Sequence, residues 1–101
     1  MNIVEKYGGT SVGTIEQIQA IALHAKHMKE QGHNLVIVAS AMGKTTNKLI
    51  ELAHSVTNNP NKRELDSLLS TGEQQTITLL AIAMNSIGVD AISLTGYQAG
   101  F

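Results

Sequence analysis

The stretch Ile3-Val4-Glu5-Lys6-Tyr7-Gly8-Gly9-Thr10-Ser11 places a short apolar strand, a lysine and a glycine pair just before a helix. Lysine supplies a mobile positive charge, and adjacent glycines let the backbone approach a ligand closely. The helix beyond them adds free N–H groups and the positive end of its dipole. Such an arrangement can bind phosphate. A plain strand–turn–helix with a surface lysine is the alternative, because Gly-Gly turns are common.

The composition is that of one globular domain without a metal or nucleic-acid signature. The 101 residues are 43% hydrophobic and 15% charged, and the net charge is −1 with 3% aromatic residues. These values argue against nucleic acid as a partner. There are no cysteines, which excludes disulfides and thiolate metal sites.

His24 and His27 lie one helical turn apart without a third ligand, so we expect two solvated histidines and no metal site. No signal peptide or membrane-spanning run is present, and we expect a cytoplasmic protein without a membrane partner.

Hydrophobic periodicity predicts the element order β-α-β-α-α-α-β. Thr14 and Gln17 form a capping box that starts the first helix, and Gly32 ends it. Residues 35–39 are continuously apolar, which is typical of a strand buried on both faces. We expect a short helix over residues 62–69, a break at residues 70–73, a second apolar helix, and a third strand over residues 89–94.

Strands separated by helices indicate a parallel sheet, and the predicted fold is a three-layer α/β/α sandwich of the α/β class. Ligands on such sheets bind where strands end and helices begin. The turns after Tyr7, Ala39 and Leu94 each follow a predicted strand. We therefore expect all three turns to converge on one edge of the sheet.

The second turn resembles the end of a P-loop, because Gly43-Lys44-Thr45 stands between a strand and a helix. The first glycine of that motif would fall at Val38, and a β-branched residue there cannot form the tight phosphate loop. A degenerate P-loop nucleotide binder is kept as an alternative. Ser40, Thr45 and Thr46 are either helix caps or hydroxyl donors to a ligand.

Glu73 has two interpretations. Ser70-Thr71-Gly72-Glu73 is itself a capping box, so that Glu73 would only hold the start of its own helix. Alternatively, its carboxylate accepts from the amino group of a substrate, because an anion beside a phosphate site must face a cation. The residues alone favour neither interpretation.

Four blocks of the chain, taken together, resemble the aspartate kinases of the amino-acid-kinase family. Kinases of the same superfamily that act on acetylglutamate or UMP share only the first of these blocks. Tyr7 stands where phenylalanine is usual in the family, and Phe101 where a smaller aliphatic residue is usual. The blocks are Lys6-Tyr7-Gly8-Gly9-Thr10-Ser11-Val12, Ser40-Ala41-Met42-Gly43-Lys44-Thr45-Thr46-Asn47, Leu69-Ser70-Thr71-Gly72-Glu73-Gln74 and Ser93-Leu94-Thr95-Gly96-Tyr97-Gln98-Ala99-Gly100.

The resemblance implies transfer of the γ-phosphate of MgATP to the side-chain carboxylate of L-aspartate, on the way to lysine, threonine and methionine. A carboxylate is already a nucleophile at neutral pH, so positioning and charge neutralisation suffice. By resemblance, Glu73 would bind the α-amino group of aspartate. The implied phosphate contacts are Lys6, Gly8, Gly9 and Ser11, and the implied aspartate contacts are Ser40, Thr46 and Glu73.

The family's enzymes are much longer, so the resemblance implies that residues 1–101 are the N-terminal part of a catalytic domain. The region for the nucleotide base and the regulatory ACT domains would lie downstream. We expect the fragment alone to be inactive. A truncated parallel sheet leaves a strand edge open, and we therefore expect self-association into a homo-oligomer. The alternative function is a non-catalytic α/β module that binds an anion or a partner.

Overall fold

The computed structural model of the chain describes residues 1–94, which form two strands and three helices. The elements are β1 (Asn2–Tyr7), α1 (Ile15–Glu30), β2 (Asn34–Ala39), α2 (Gly43–Val56) and α3 (Lys62–Ser86). Within residues 1–94, no helix is both long and apolar enough to cross a membrane. The α/β class and the β-α-β beginning are as the sequence predicts.

β1 and β2 pair in parallel, and α1 connects them. The register runs from Asn2 opposite Asn34 to Tyr7 opposite Ala39. The Ser40 N–H donates to the Tyr7 carbonyl at 3.0 Å, which carries the pairing one residue beyond the strand ends. The carboxyl ends of both strands therefore lie side by side, so that the turns that follow them begin as neighbours.

The first helix is fixed at both ends by the residues that the sequence indicates. The Gln17 N–H donates to Thr14 Oγ1 at 3.2 Å, and the Thr14 N–H donates to Gln17 Oε1 at 3.0 Å, so the capping box is complete. Gln17 Nε2 also donates to the Thr10 carbonyl at 3.0 Å and ties the preceding turn to the helix. Gly32 ends the helix with a φ of +86°, a conformation that a side chain would strain.

The core lies between one face of the sheet and the two helices α1 and α3. Its buried residues are Val12, Ile18, Ile21, Ala39 and Leu80. On the opposite face, Val4 is 62% exposed, Val36 53% and Val38 40%. The prediction that β2 is buried on both faces is therefore wrong for the described chain, because the second helical layer of the sandwich is not among residues 1–94.

The predicted break at residues 70–73 is also wrong, because α3 is continuous from Lys62 to Ser86. Ser70 Oγ donates to the Ser67 carbonyl at 2.7 Å, and Thr71 Oγ1 donates to the Leu68 carbonyl at 2.6 Å. Both hydroxyls are thus bonded inside the helix instead of capping a new one. The capping interpretation of Glu73 does not hold.

The predicted third strand over residues 89–94 is not formed. Its first backbone donors are used by the end of α3: the Val89 N–H donates to the Met84 carbonyl at 2.9 Å and the Ala91 N–H to Asn85 Oδ1 at 3.2 Å. A strand exists only with a hydrogen-bonded partner, and these residues have none in the described sheet. The glycine-rich loop after Leu94 and Phe101 lie outside the described residues.

Candidate functional site

The turn after β1 is open to solvent on the side where a ligand would bind. The Ser11 N–H donates to the Gly8 carbonyl at 3.0 Å and closes the turn, and the next residue, Val12, is completely buried and anchors it. Gly8 and Ser11 are exposed, and so is Lys6 on the sheet face of Val4. A Cβ on Gly8 would meet no atom within 4 Å, so a ligand can reach its backbone directly.

The helix after β2 begins without a side-chain cap. α2 starts at Gly43, and its N-cap, Met42, makes no side-chain hydrogen bond. The N–H groups of Thr45 and Thr46 donate to the Met42 carbonyl, so these residues belong to the first turns of the helix. The cap interpretation of the nearby hydroxyls, including that of Ser40, is therefore wrong. An uncapped helix start leaves backbone donors for an anion.

The P-loop alternative does not fit this connection. Only residues 40–42 separate the end of β2 from the start of α2. Val38, which would have to be the first glycine of the loop, pairs with Lys6 inside the sheet. A loop that wraps a phosphate needs a longer glycine-rich connection. Gly43-Lys44-Thr45 is thus the start of a helix and not the end of a P-loop.

The turn after β1 and the start of α2 are in direct contact. A Cβ on Gly9 would lie 3.0 Å from the Ala41 carbonyl oxygen and 3.4 Å from the Gly43 N and Cα atoms. Only glycine allows the two backbones to approach so closely. The predicted convergence of the first two strand-end turns is therefore present, whereas the turn after Leu94 lies outside the described residues.

Two of the predicted aspartate contacts lie at the start of α2. Ser40 is exposed directly after β2, and Thr46 is partly buried in the first turn of α2. Ser40 belongs to the connection that abuts Gly9, and Thr46 belongs to the helix that follows this connection. Their contact with a substrate stays a prediction.

Glu73, the third predicted aspartate contact, is exposed in the middle of α3. Gly72, its neighbour, packs against the start of α2, with a Cβ position only 2.9 Å from the Ala41 Cβ. Among residues 1–94, no hydrogen bond or ion pair joins Glu73 to Lys6. The structure thus places Glu73 beside the α2 contact but shows no direct link to the lysine.

Glu73 also borders a cavity of about 520 Å³ between β2, α3 and residues 89–94. This cavity is mostly apolar and includes Ile77 and the β2 side chains, but none of the predicted phosphate contacts. Within residues 1–94, no group of three or more histidine, aspartate or glutamate side chains could hold a metal ion.

Sequence reasoning missed a polar cluster on the inner face of β1. Tyr7 Oη donates to Glu5 Oε1 at 2.8 Å, and His24 Nε2 lies 2.8 Å from Glu5 Oε2. His24 is therefore a partner of Glu5 and not simply solvated. The alternation Glu5-x-Tyr7 signals that both residues share a strand face, but the contact with a histidine nineteen positions away has no sequence signal.

The cluster shifts the pKa values of both strand residues. Burial alone would raise the pKa of the Glu5 carboxyl, but the hydrogen bonds from His24 and Tyr7 and the charge of His24 outweigh it and lower the pKa. Burial, together with the hydrogen bond to Glu5 and its negative charge, raises the pKa of Tyr7 to about 12. Through the contact between Glu5 and His24, the cluster ties β1 to α1 next to Lys6 and the glycine turn.

Comparison with known proteins gives a consistent result over the whole chain. The model of the amino acid kinase family matches residues 1–101. The chain is 54% identical over 98 residues to Aspartokinase 2 of Bacillus subtilis (strain 168). This match covers 97% of this chain and 24% of that protein. It is 53% identical over 96 residues to an aspartate kinase of Pseudomonas putida, covering 95% of this chain and 23% of the relative. The chain therefore spans about a quarter of the length of these relatives.

A solved structure agrees with the fold. The crystal structure of aspartate kinase from Synechocystis superposes with a TM-score of 0.88 at 53% sequence identity, over 93% of this chain and 16% of that one. The geometry described above is thus set within an architecture that a known protein shares.

Proposed function

The chain belongs to the amino acid kinase family, as its sequence blocks predicted, and we propose that it forms the phosphoryl-binding part of an aspartate kinase. The reaction would be transfer of the γ-phosphate of ATP to the side-chain carboxylate of L-aspartate, giving 4-phospho-L-aspartate. The observation that carries this proposal is the contact between the Gly9 backbone and the uncapped start of α2. It joins two sets of backbone donors into one surface suited to an anion.

On the phosphate side, Lys6 would neutralise charge on the transferring phosphoryl group while the N–H groups of Gly8 and Gly9 donate to its oxygens. The Ser11 N–H is already bonded to the Gly8 carbonyl, so Ser11 would contribute its exposed hydroxyl. The transition state of phosphoryl transfer spreads negative charge over the equatorial oxygens. A lysine, free amides and a helix start are the groups that stabilise such charge.

On the acceptor side, Ser40 and Thr46 would hold the aspartate, and the Glu73 carboxylate would pair with its α-ammonium group. The attacking carboxylate is ionised at neutral pH, so this mechanism requires no general base. The helix α3 would then act by position: Gly72 packs against the α2 start, and this packing would hold Glu73 close to the proposed phosphate contacts.

The substrate would be ATP as its magnesium complex, and residues 1–94 contact at most its phosphate end in this scheme. Lys6, Gly8 and Ser11 are all exposed to solvent. Phosphoryl transfer to an acceptor other than water needs a site from which water is excluded. We therefore propose that the 101-residue chain alone does not turn over aspartate, and that the further length present in its relatives supplies the closed site.

The proposal also covers the environment of the protein. We propose a cytoplasmic location, where ATP and aspartate are both available, and no nucleic-acid or membrane partner. The exposed valine face and the open edges of the two-stranded sheet support self-association. In a longer chain, additional helices would pack on the valine face and additional strands would pair with the open edges.

A chimera tests the function directly. The segment of Bacillus subtilis Aspartokinase 2 that matches this chain is replaced by residues 1–101, and hydroxamate formation is measured with MgATP and L-aspartate, with L-glutamate as the control acceptor. We expect turnover with aspartate and little with glutamate. A chimera with native mass and unfolding temperature that is inactive with both would contradict the kinase proposal. If such a chimera still bound tripolyphosphate, a non-catalytic anion-binding module would be the better description.

A further inference from the structure

The start of α2 is enclosed by two glycines that come from different elements. From the turn after β1, a Cβ on Gly9 would lie 3.0 Å from the Ala41 carbonyl oxygen. From the middle of α3, a Cβ on Gly72 would lie 2.9 Å from the Ala41 Cβ and 3.2 Å from Thr45 Cγ2. Gly72 and Ala41 are both buried. A single short segment is therefore in contact with a glycine on each side.

Gly72 is not required by the backbone conformation of α3. Its φ is not positive, and it lies well inside a continuous helix, where glycine is less favourable than alanine by about 1 kcal/mol. An alanine at position 72 would meet Ala41, in the connection before α2, and Thr45 in the first turn of α2. The Ala41 Cβ is bonded directly to the backbone and cannot rotate away, and Thr45 is β-branched and stiff at χ1. Relief of the contact therefore requires that α2 and α3 move apart.

We propose that Gly9 and Gly72 form a glycine clamp, which fixes the start of α2 against the phosphate turn and makes Gly72 a positioning residue for phosphoryl binding. Gly72 itself touches no ligand in this scheme. The clamp rests on the proposed function for its ligand, but its geometry stands on the contacts of Ala41 alone. Because Glu73 follows Gly72 directly, the same contact sets the distance between Glu73 and the helix start.

The size of the displacement explains why a single methyl group matters. Carbon atoms pack at about 3.5–4.0 Å, whereas a Cβ at position 72 would lie 2.9 Å from the Ala41 Cβ, so an alanine there must move the two groups apart by roughly 0.6–1.1 Å. Hydrogen bonds to an anion have a narrow range of lengths, about 2.7–3.2 Å, and the effect of the helix dipole is limited to the first turn. A shift of that size at the α2 start would remove its donors from a phosphate held at the glycine turn.

The test uses the 101-residue chain and size exchange across the contact. Gly72→Ala introduces the clash, and the double variant Gly72→Ala with Ala41→Gly removes its closest contact, the one with the Ala41 Cβ. Thr71→Ala is the matched control, because it also raises helix propensity in α3 but changes an exposed side chain. Amide chemical shifts of Gly9 and Gly43 are recorded without ligand, and affinity for inorganic tripolyphosphate is then measured by titration.

We expect Gly72→Ala to shift the Gly9 and Gly43 amide signals and to weaken tripolyphosphate binding at least about tenfold, the scale of one charge-assisted hydrogen bond. The double variant should recover most of the wild-type signal positions and most of the affinity, and Thr71→Ala should match the wild type in both measurements. Unchanged signals and affinity in Gly72→Ala would overturn the clamp. If Gly72→Ala does not fold, the double variant becomes the test. A double variant that also does not fold would overturn the clamp.

The result separates the clamp from the proposed function. If the wild type binds no tripolyphosphate, but Gly72→Ala moves the Gly9 and Gly43 signals and Ala41→Gly restores them, the clamp is supported and the phosphate proposal fails. If the wild type binds and Gly72→Ala binds equally well, the phosphate proposal is supported and the clamp fails.

Discussion

At the scale of single residues, the adjacent glycines of the first turn have different tasks. Gly8 faces open space, whereas Gly9 is packed against the backbone of residues 41–43. The pair Gly-Gly predicts a close backbone approach, but it cannot say which glycine meets the ligand and which meets the protein. That difference depends on where α2 begins, and α2 is more than thirty residues away along the chain.

Substitution of each glycine by alanine should separate these tasks. Gly8→Ala should leave the free energy of unfolding within about 0.5 kcal/mol of the wild type, as is usual for a surface position, but weaken tripolyphosphate binding. Gly9→Ala should cost about 1–3 kcal/mol, because the backbone of Ala41 must yield. Urea unfolding and a binding titration measure both quantities. Equal stability losses in the two variants would show that the two glycines have the same environment.

Tyr7 should make stability sensitive to alkaline pH. Its pKa is about 12 in the fold against 10.0 for the free group, so the fold favours the neutral phenol. The resulting stability is complete below pH 10 and is lost as the pH rises toward 12. We expect the unfolding free energy of the wild type to fall relative to that of Tyr7→Phe over this interval, because the variant lacks the phenol. A constant difference between the two proteins from pH 9 to pH 12 would contradict the Tyr7–Glu5 hydrogen bond.

At the scale of elements, the sequence predicts α1 well and α3 poorly, for a physical reason. A capping box is local, and Thr14 with Gln17 forms one as its spacing indicates. Ser70 and Glu73 have the same spacing, but the helix continues through them because the Gly72 position packs on α2. Tertiary contact overrides the local signal there. The strand predicted at residues 89–94 fails similarly, because pairing needs a partner and the described two-stranded sheet offers none to these residues.

The two candidate capping boxes give a matched pair of substitutions. Thr14→Ala removes the side-chain acceptor for the Gln17 N–H and should cost about 1 kcal/mol. Ser70→Ala removes only a hydroxyl bonded within the helix and should change stability by less than about 0.5 kcal/mol. Thermal unfolding of the two variants checks this. A loss in Ser70→Ala as large as that in Thr14→Ala would mean that a helix start exists at residue 70 after all.

At the scale of the whole molecule, the sheet is covered on one side only. Val4, Val36 and Val38 are exposed on the other face, and both strands have a free edge within the described sheet. The sequence predicted a strand buried on both faces, and the composition of β2 suits such burial. Proteins of the family four times as long have the additional chain to cover it. For residues 1–101 on their own, the proposed cover is a second copy of the chain.

Self-association should therefore depend on the valine face. We expect sedimentation at micromolar concentration to give a mass above that of one chain, and Val36→Lys to reduce it by placing a charge in the contact. Leu23→Lys is the matched control, because Leu23 is at least as exposed, at 61% against 53% for Val36, but lies on α1. A wild-type mass equal to one chain, or dissociation by Leu23→Lys alone, would contradict this account.

The measurement that tests the central claim most directly is a titration of the isotope-labelled 101-residue chain with tripolyphosphate, observed through its backbone amides. If Lys6, the glycine turn and the start of α2 form one anion site, the signals of Gly8, Gly9 and Gly43 move together. Lys6→Ala should then weaken binding at least about tenfold, while Lys26→Ala on α1 should not. Shifts confined to other parts of the chain, or equal affinities of Lys6→Ala and Lys26→Ala, would contradict the claim.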